Sequence, residues 1–230
     1  MNGSTAMKSP PSSAIPLHSA REHLSTALLS DALDSLGWRG QVLPPSIRPL
    51  DPDLVMVGRA RTGLYQSVFH VEPGENPYEL EIALIDDLKP DDIAVLACGA
   101  STRIAPWGEL LTNASLGRRA AGCVTDGFVR DTRAIRALAF PVFAAGISAL
   151  DAQGRGKVVG IDVPVEIAGV AVNPGDIIFG DADGVIVLPE ALAQKAFEIG
   201  LKKVALEDST RAELRAGARL ADVFKRHGIL

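Results

Sequence analysis

Glu109, separated by twenty residues from the adjacent pair Arg130-Asp131, forms with it the group of side chains in this sequence best suited to chemistry on a small anion with a metal ion. A guanidinium grips carboxylate or keto oxygens through paired N–H donors, and an acid beside it offers hard oxygen to a divalent cation. The segment reads WGELLTNASLGRRAAGCVTDGFVRD over residues 107–131. Pro106-Trp107-Gly108 is expected to open a helix to about residue 120, with the N–H groups of Leu110 and Leu111 in its first turn, where a helix end attracts anions. Gly122-Cys123-Val124-Thr125 reads as a short apolar strand, Asp126-Gly127 as a turn, and Arg130-Asp131 as the entry to another helix. In α/β folds strand carboxyl ends and helix amino ends share one rim, where ligands bind.

Each of these residues also has an ordinary role. Glu109 complements a helix dipole, Asp131 caps a helix, and Arg130 pairs with a surface acid. Their expected convergence beside Gly108, Gly122 and Gly127, where the backbone is bare enough to approach a ligand, favours a site. The acid-rich turn Gly180-Asp181-Ala182-Asp183-Gly184 is read as a hairpin turn bordering that site, since it lacks the later acidic ligands of a calcium-binding hand. Gly154-Arg155-Gly156-Lys157 opens no helix in a dinucleotide pattern, and no Gly-x-Ser-x-Gly elbow occurs. Of four histidines only His70 is internal, in a Gly/Pro loop. A Schiff-base mechanism needs a desolvated lysine, and of seven lysines only Lys157 lies near a core-like strand. Metal-assisted chemistry with oxygen ligands remains.

These residues sit in a chain of 230 residues, 47% hydrophobic and 5% aromatic, which is the profile of an aliphatic α/β domain. Residues 1–17 are polar and Pro/Ser-rich and are read as a mobile tail; residues 18–230 are read as a single domain. A net charge of −5 and a pI near 5.4 argue against a nucleic-acid partner. Cys98 and Cys123 lie in apolar runs without disulfide or zinc spacing, and no stretch reaches membrane-spanning length, so a cytoplasmic protein is expected.

The elements that must position the site follow from periodicity. An amphipathic helix is expected over 24–36, a proline-rich irregular stretch over 41–53, and one or two strands over 54–69 interrupted by Gly58 and Gly63. A helix over 78–88 and a buried strand over 93–97 lead into the alternating unit helix 107–120, strand 122–125, helix 131–138, strand 141–145. Residues 157–188 read as a β-meander, followed by one helix from Pro189 to about Lys203 and another from about Leu206 through Arg226.

The chain resembles the RraA-like family, which includes class II 4-hydroxy-4-methyl-2-oxoglutarate/4-carboxy-4-hydroxy-2-oxoadipate aldolases and regulators of ribonuclease E activity. Matching segments are Gly-Glu-Leu-Leu at 108–111, Gly-x-Val-x-Asp-Gly-x-x-Arg-Asp at 122–131, Phe-Pro-Val-Phe-Ala at 140–144 and Pro-Gly-Asp…Gly-Asp-x-Asp-Gly-Val at 174–185. The aldolases typically carry Asp where this chain has Glu109, one methylene longer. The resemblance implies a layered ββα, swivelling-domain-like α/β fold with a central barrel-like sheet. It implies Asp131 as a direct ligand of Mg²⁺ or Mn²⁺, with Glu109 holding a metal-bound water. Arg130 and the Gly108, Leu110 and Leu111 backbone would bind the pyruvyl group of a 4-hydroxy-2-oxo diacid, or of oxaloacetate. It further implies a homotrimer or hexamer in which an acid from a neighbour's C-terminal helix, Glu207 here, approaches the metal. Without a neighbour Glu207 would pair with Arg211. Two rival readings are a non-catalytic regulator that binds and inhibits an RNA-processing enzyme, and a lysine-dependent aldolase using Lys157.

Overall fold

The computed structural model describes residues 16–228, so most of the expected tail lies outside the described residues, and Leu17 already begins a helix. In chain order the elements are α1 (Leu17–His23), α2 (Thr26–Ser35), β1 (Arg48–Pro49), β2 (Met56–Ser67), α3 (Glu79–Asp86), β3 (Asp92–Ala97), α4 (Glu109–Gly117) and β4 (Gly122–Thr125). Next come β5 (Phe128–Val129), α5 (Thr132–Ala137), β6 (Val142–Ala144), β7 (Gly146–Ile147), β8 (Gly156–Ile161), β9 (Val165–Ile167) and β10 (Val170–Val172). The chain continues through β11 (Ile177–Asp181), β12 (Gly184–Leu188), α6 (Glu190–Arg215) and α7 (Leu220–His227). No helix among the described residues is long and apolar enough to cross a membrane.

The main sheet is nearly closed and barrel-like, in the order β1-β6-β4-β3-β2-β11-β12, with β8 beside the second half of β2. Strands β2, β3, β4 and β6 run parallel, joined by α3, α4 and α5 as crossovers. The proline-rich stretch brings the sheet's two ends together: Val42 bridges Ile186 of β12, while Arg48 and Pro49 pair with β6.

Strand alternation explains the continuous apolar runs, because both faces of these strands are buried. Ile93, Val95 and Ala97 of β3 join Val124, Phe143 and Val185 in one core, which the β9–β10 hairpin covers with Val165, Ile167, Val170 and Val172. Ala94 and Leu96 point the other way, under α3, α4 and α5 with Leu84, Trp107 and Ile135. A third core packs Leu29, Leu33, Ala193 and Phe197 of α2 and α6 on Phe179, Ile186 and Leu188.

Several expectations need correction. Of the one or two strands expected over 54–69, residues 56–67 form one, and Gly58 does not interrupt it: a Cβ there would lie 2.1 Å from the Asp91 carbonyl oxygen, so the glycine permits close chain approach. Residues 157–188 are not a meander, because β8 and β11 pair with opposite halves of β2 and β9–β10 is a separate hairpin. The C-terminal helix does not break near residue 204; Val204 and Ala205 carry it on, ion pairs from Glu207 to Lys203 and Arg211 brace it, and the break comes at Gly217 with φ +91°. Cys98 and Cys123 are free and buried, and burial pushes both thiols up.

Candidate active site

The local anchor is Trp107. Its ring is fully buried and stacked on Phe140 with centroids 6.0 Å apart. Its Nε1 donates to Thr112 Oγ1 at 2.9 Å, and that hydroxyl donates to the Gly108 carbonyl at 3.1 Å. The first turn of α4 is thereby fixed to the core. The Trp107 carbonyl accepts the Arg130 N–H at 2.9 Å, and Trp107 bridges Val129, so chain segments more than twenty residues apart meet at this point.

Asp131 stands at the N-cap position of α5 but does not cap it. Its backbone is left-handed, φ +56° and ψ +31°, a conformation that aspartate tolerates better than most residues but that still costs free energy. That twist aims the carboxylate away from its own helix. Oδ2 instead accepts the Glu109 N–H at 3.2 Å, at the amino end of α4. Gly108 makes room for this: a Cβ there would lie 2.7 Å from Asp131 Oδ2 and 3.1 Å from Arg130 Nε. Oδ1 has no hydrogen-bond partner among the described residues.

Arg130 and Asp131 border a cleft of about 290 Å³ together with Gly108, Leu110, Leu111 and Asp151. The Leu110 and Leu111 amides, in the open first turn of α4, have no protein acceptor among the described residues. Arg130 Nη2 lies 3.5 Å from Asp151 Oδ1 and Nε lies 3.8 Å from Asp131 Oδ2. On the far side of Asp151, Tyr78 donates to Oδ2 at 2.6 Å; burial and this carboxylate push the phenol up to about 12.

The remaining expected residues are placed less centrally. Glu109 occupies the first position of α4, its Oε1 is met by Asn113 Nδ2 at 3.3 Å, and it borders a shallow groove that shares Asp131 with the cleft. Glu207 lies on α6 with Arg211 at 3.5 Å and Lys203 at 3.8 Å, and does not line the cleft. The 180–184 turn does not border it either; Asp181 instead caps α2 by accepting Thr26 N and Oγ1 at 2.8 and 2.7 Å. Lys157 is tied to Glu75 at 2.5 Å, and His70 to Glu72.

Two cleft residues, Asp151 and Glu81, escaped the sequence reading. Asp151 lies in a loop with no local signal. Glu81 had one: with Leu84, Ile85 and Leu88 it follows the spacing of a buried helix face, where a carboxylate is out of place.

The donor set bears on a metal. No cluster of three or more His, Cys, Asp or Glu side chains able to hold one occurs among the described residues. One carboxylate with a partner-free oxygen nevertheless fits a hard cation that keeps most of its coordination as water and substrate oxygens, while the free amides suit an anion.

Residues 26–187 match the family model for RraA-like proteins, described as Aldolase/RraA. The chain is 36% identical over 188 residues to a Halalkalibacterium halodurans protein provisionally named 4-hydroxy-4-methyl-2-oxoglutarate aldolase, covering 81% of this chain and 82% of that protein. It is 31% identical over 196 residues to Protein DlpA of Legionella pneumophila, covering 85% of this chain but only 31% of DlpA. Among solved structures, Streptomyces coelicolor RraAS2, described as an unusual member of the RNase ES inhibitor RraA family, superposes with TM-score 0.75 at 26% identity, covering 85% of this chain and 94% of that one.

Proposed function

The chain belongs to the RraA-like family, and from that premise we propose that it is a divalent-metal-dependent lyase that splits 4-hydroxy-2-oxo diacids, of the 4-hydroxy-4-methyl-2-oxoglutarate type, to pyruvate. One observation carries the reading. Asp131 gives up the cap of its own helix and turns its carboxylate to the rim of a cleft that Arg130, Leu110 and Leu111 also line. The similarity to a protein named as an aldolase supports it.

The pyruvyl end of the substrate docks against Arg130, whose fork matches a carboxylate, and its keto oxygen lies toward the α4 amides. These donors favour the negative charge that spreads over the three-carbon fragment when the C3–C4 bond breaks. Asp131, with Glu109 holding a water beside it, is the residue to hold Mg²⁺ or Mn²⁺, and Glu207 of a neighbouring copy in a trimer or hexamer completes the surroundings. Such an ion supplies Lewis-acid stabilisation of the same developing charge. Asp151 keeps the guanidinium turned into the cleft. Oxaloacetate fits the same donors, so its decarboxylation accompanies the aldol cleavage.

Pyruvate release from 4-hydroxy-4-methyl-2-oxoglutarate, followed with and without EDTA, tests the reading. Activity is expected to vanish on chelation, to return with Mg²⁺ or Mn²⁺, and to be absent in Asp131→Ala; turnover that survives both changes overturns it. The likeness to RraAS2 supports a second reading, a regulator that binds an RNA-processing enzyme. Partner binding unaffected by Arg130→Ala, with no turnover of any 2-oxo acid, would establish that one instead.

A further inference from the structure

One carboxyl group of the cleft has no part in the roles above. Glu81 on α3 is only 5% exposed, and Tyr65 of β2 donates to its Oε1 at 2.7 Å. Its Oε2 has no hydrogen-bond partner among the described residues, yet it is not sealed in, and Glu81 borders the same cleft as Leu110, Leu111 and Arg130. A buried acid that borders a ligand cavity, with one oxygen tied and the other free of hydrogen bonds and not fully covered, is placed to pass a proton to whatever the cavity holds.

Its surroundings support that use. Burial pushes the Glu81 carboxyl up to about 7; the Tyr65 hydrogen bond and the charge of Arg130 pull it down, and Asp151 pushes it up. The other titratable groups that sense it are Tyr78 ahead of α3 and the Cys98 and Cys123 thiols, all held neutral at this pH by values raised above their ordinary range. Both protonation states of Glu81 are therefore populated near neutrality, as a group that must take up and return a proton requires.

We propose, resting on the lyase reading above, that Glu81 is the proton carrier of the cleavage, taking the C4 hydroxyl proton and returning it to C3 of the pyruvate enolate. As the carboxylate removes that proton, the O–H electron pair forms the C4 carbonyl and the C3–C4 pair passes to the enolate. The carbonyl product is released, the carboxylic acid then protonates C3 to give the methyl group of pyruvate, and the carboxylate is regenerated. No further reactant is consumed. With oxaloacetate, CO₂ leaves in place of the carbonyl product, so Glu81 enters protonated, protonates C3, and is reprotonated from water.

The same carrier must exchange the methyl hydrogens of pyruvate with solvent, which NMR in D₂O measures on the Mg²⁺-loaded protein. Glu81→Gln keeps the shape and the acceptor for Tyr65 but cannot carry a proton. Both exchange and pyruvate release from the hydroxy diacid are expected to fall by about 100-fold or more, while the pyruvate dissociation constant stays within about twofold. In the wild type kcat/KM for cleavage should rise with pH through about 7 as the carboxyl ionises, and the variant should lack that limb. Tyr65→Phe, which removes the bond that favours the carboxylate, should move the limb to higher pH; it serves as an independent test should Glu81→Gln fail to fold. A Glu81→Gln enzyme that exchanges at the wild-type rate, or a limb unmoved in Tyr65→Phe, overturns the proposal while leaving the lyase reading in place. A wild type that turns over no 2-oxo acid removes the lyase reading, and this inference with it.

Discussion

Arg61 in β2 and Arg130 ahead of α5 both stand among aspartates, and they use their donors differently. Arg61 Nε and Nη2 each meet an Asp162 carboxylate oxygen at 2.8 Å; Nη2 also reaches Asp87 at 3.0 Å and Nη1 reaches Asp92 at 3.4 Å. This guanidinium is 16% exposed, and its acidic partners raise its already high pKa. Arg130 has its nearest carboxylates at 3.5 and 3.8 Å, is 39% exposed, and donates no side-chain hydrogen bond to protein among the described residues. The same residue types thus make a satisfied clamp in one place and a set of uncommitted donors in the other. A satisfied guanidinium holds chain segments together, whereas an uncommitted one beside free amides is available to an anion.

Three substitutions test how far that contrast holds. Arg130→Met should have the largest effect, about 10³-fold in kcat/KM or about 4 kcal/mol, with the melting temperature nearly unchanged. Equal losses of activity and stability would make Arg130 a clamp like Arg61. Gly108→Ala should come next. Its Cβ would meet Asp131 Oδ2 at 2.7 Å, and pushing that carboxylate aside should cost about 100-fold in activity, measurable as pyruvate release per folded protein. Arg61→Met should have the smallest effect, and of the opposite kind. It leaves Asp92, whose side chain is 9% exposed, without its cationic partner and should destabilise the fold by about 2 kcal/mol in urea unfolding, discounted because Asp87 and Asp162 remain hydrated. Its kcat/KM should match the wild type.

Much of the architecture was legible in local pattern. The unbroken apolar run of β3 announced a strand buried on both faces, and the alternation of α4, β4, α5 and β6 announced parallel crossovers. The misreadings occurred where distant contacts decide. Gly58 looked like an interruption until the Asp91 carbonyl was seen against it, and β8 and β11 looked consecutive until β2 proved long enough to pair with both. Of the residues that border the cleft, Gly108, Leu110, Leu111, Arg130 and Asp131 were singled out from types and spacing, whereas Glu109, singled out with them, borders the neighbouring groove. Asp151 sits in a loop without local signature, while Glu81 carried a signal that went unused, its place on the apolar helix face of Leu84, Ile85 and Leu88.

The sequence by itself determined which functional groups are present, which short segments are helix or strand, and that an acid and an Arg-Asp pair flank one α/β crossover. It could not distinguish Arg61 from Arg130. That difference depends on Asp162, about a hundred residues along the chain from Arg61, meeting one guanidinium at 2.8 Å, while the acids nearest the other among the described residues stay at 3.5 and 3.8 Å. Only the tertiary structure turned Asp131 away from its own helix, because the backbone twist that aims it is held by Trp107, Gly108 and the amino end of α4. Only folding, by burying Glu81 at the edge of the cleft, pushed its carboxyl up to about 7.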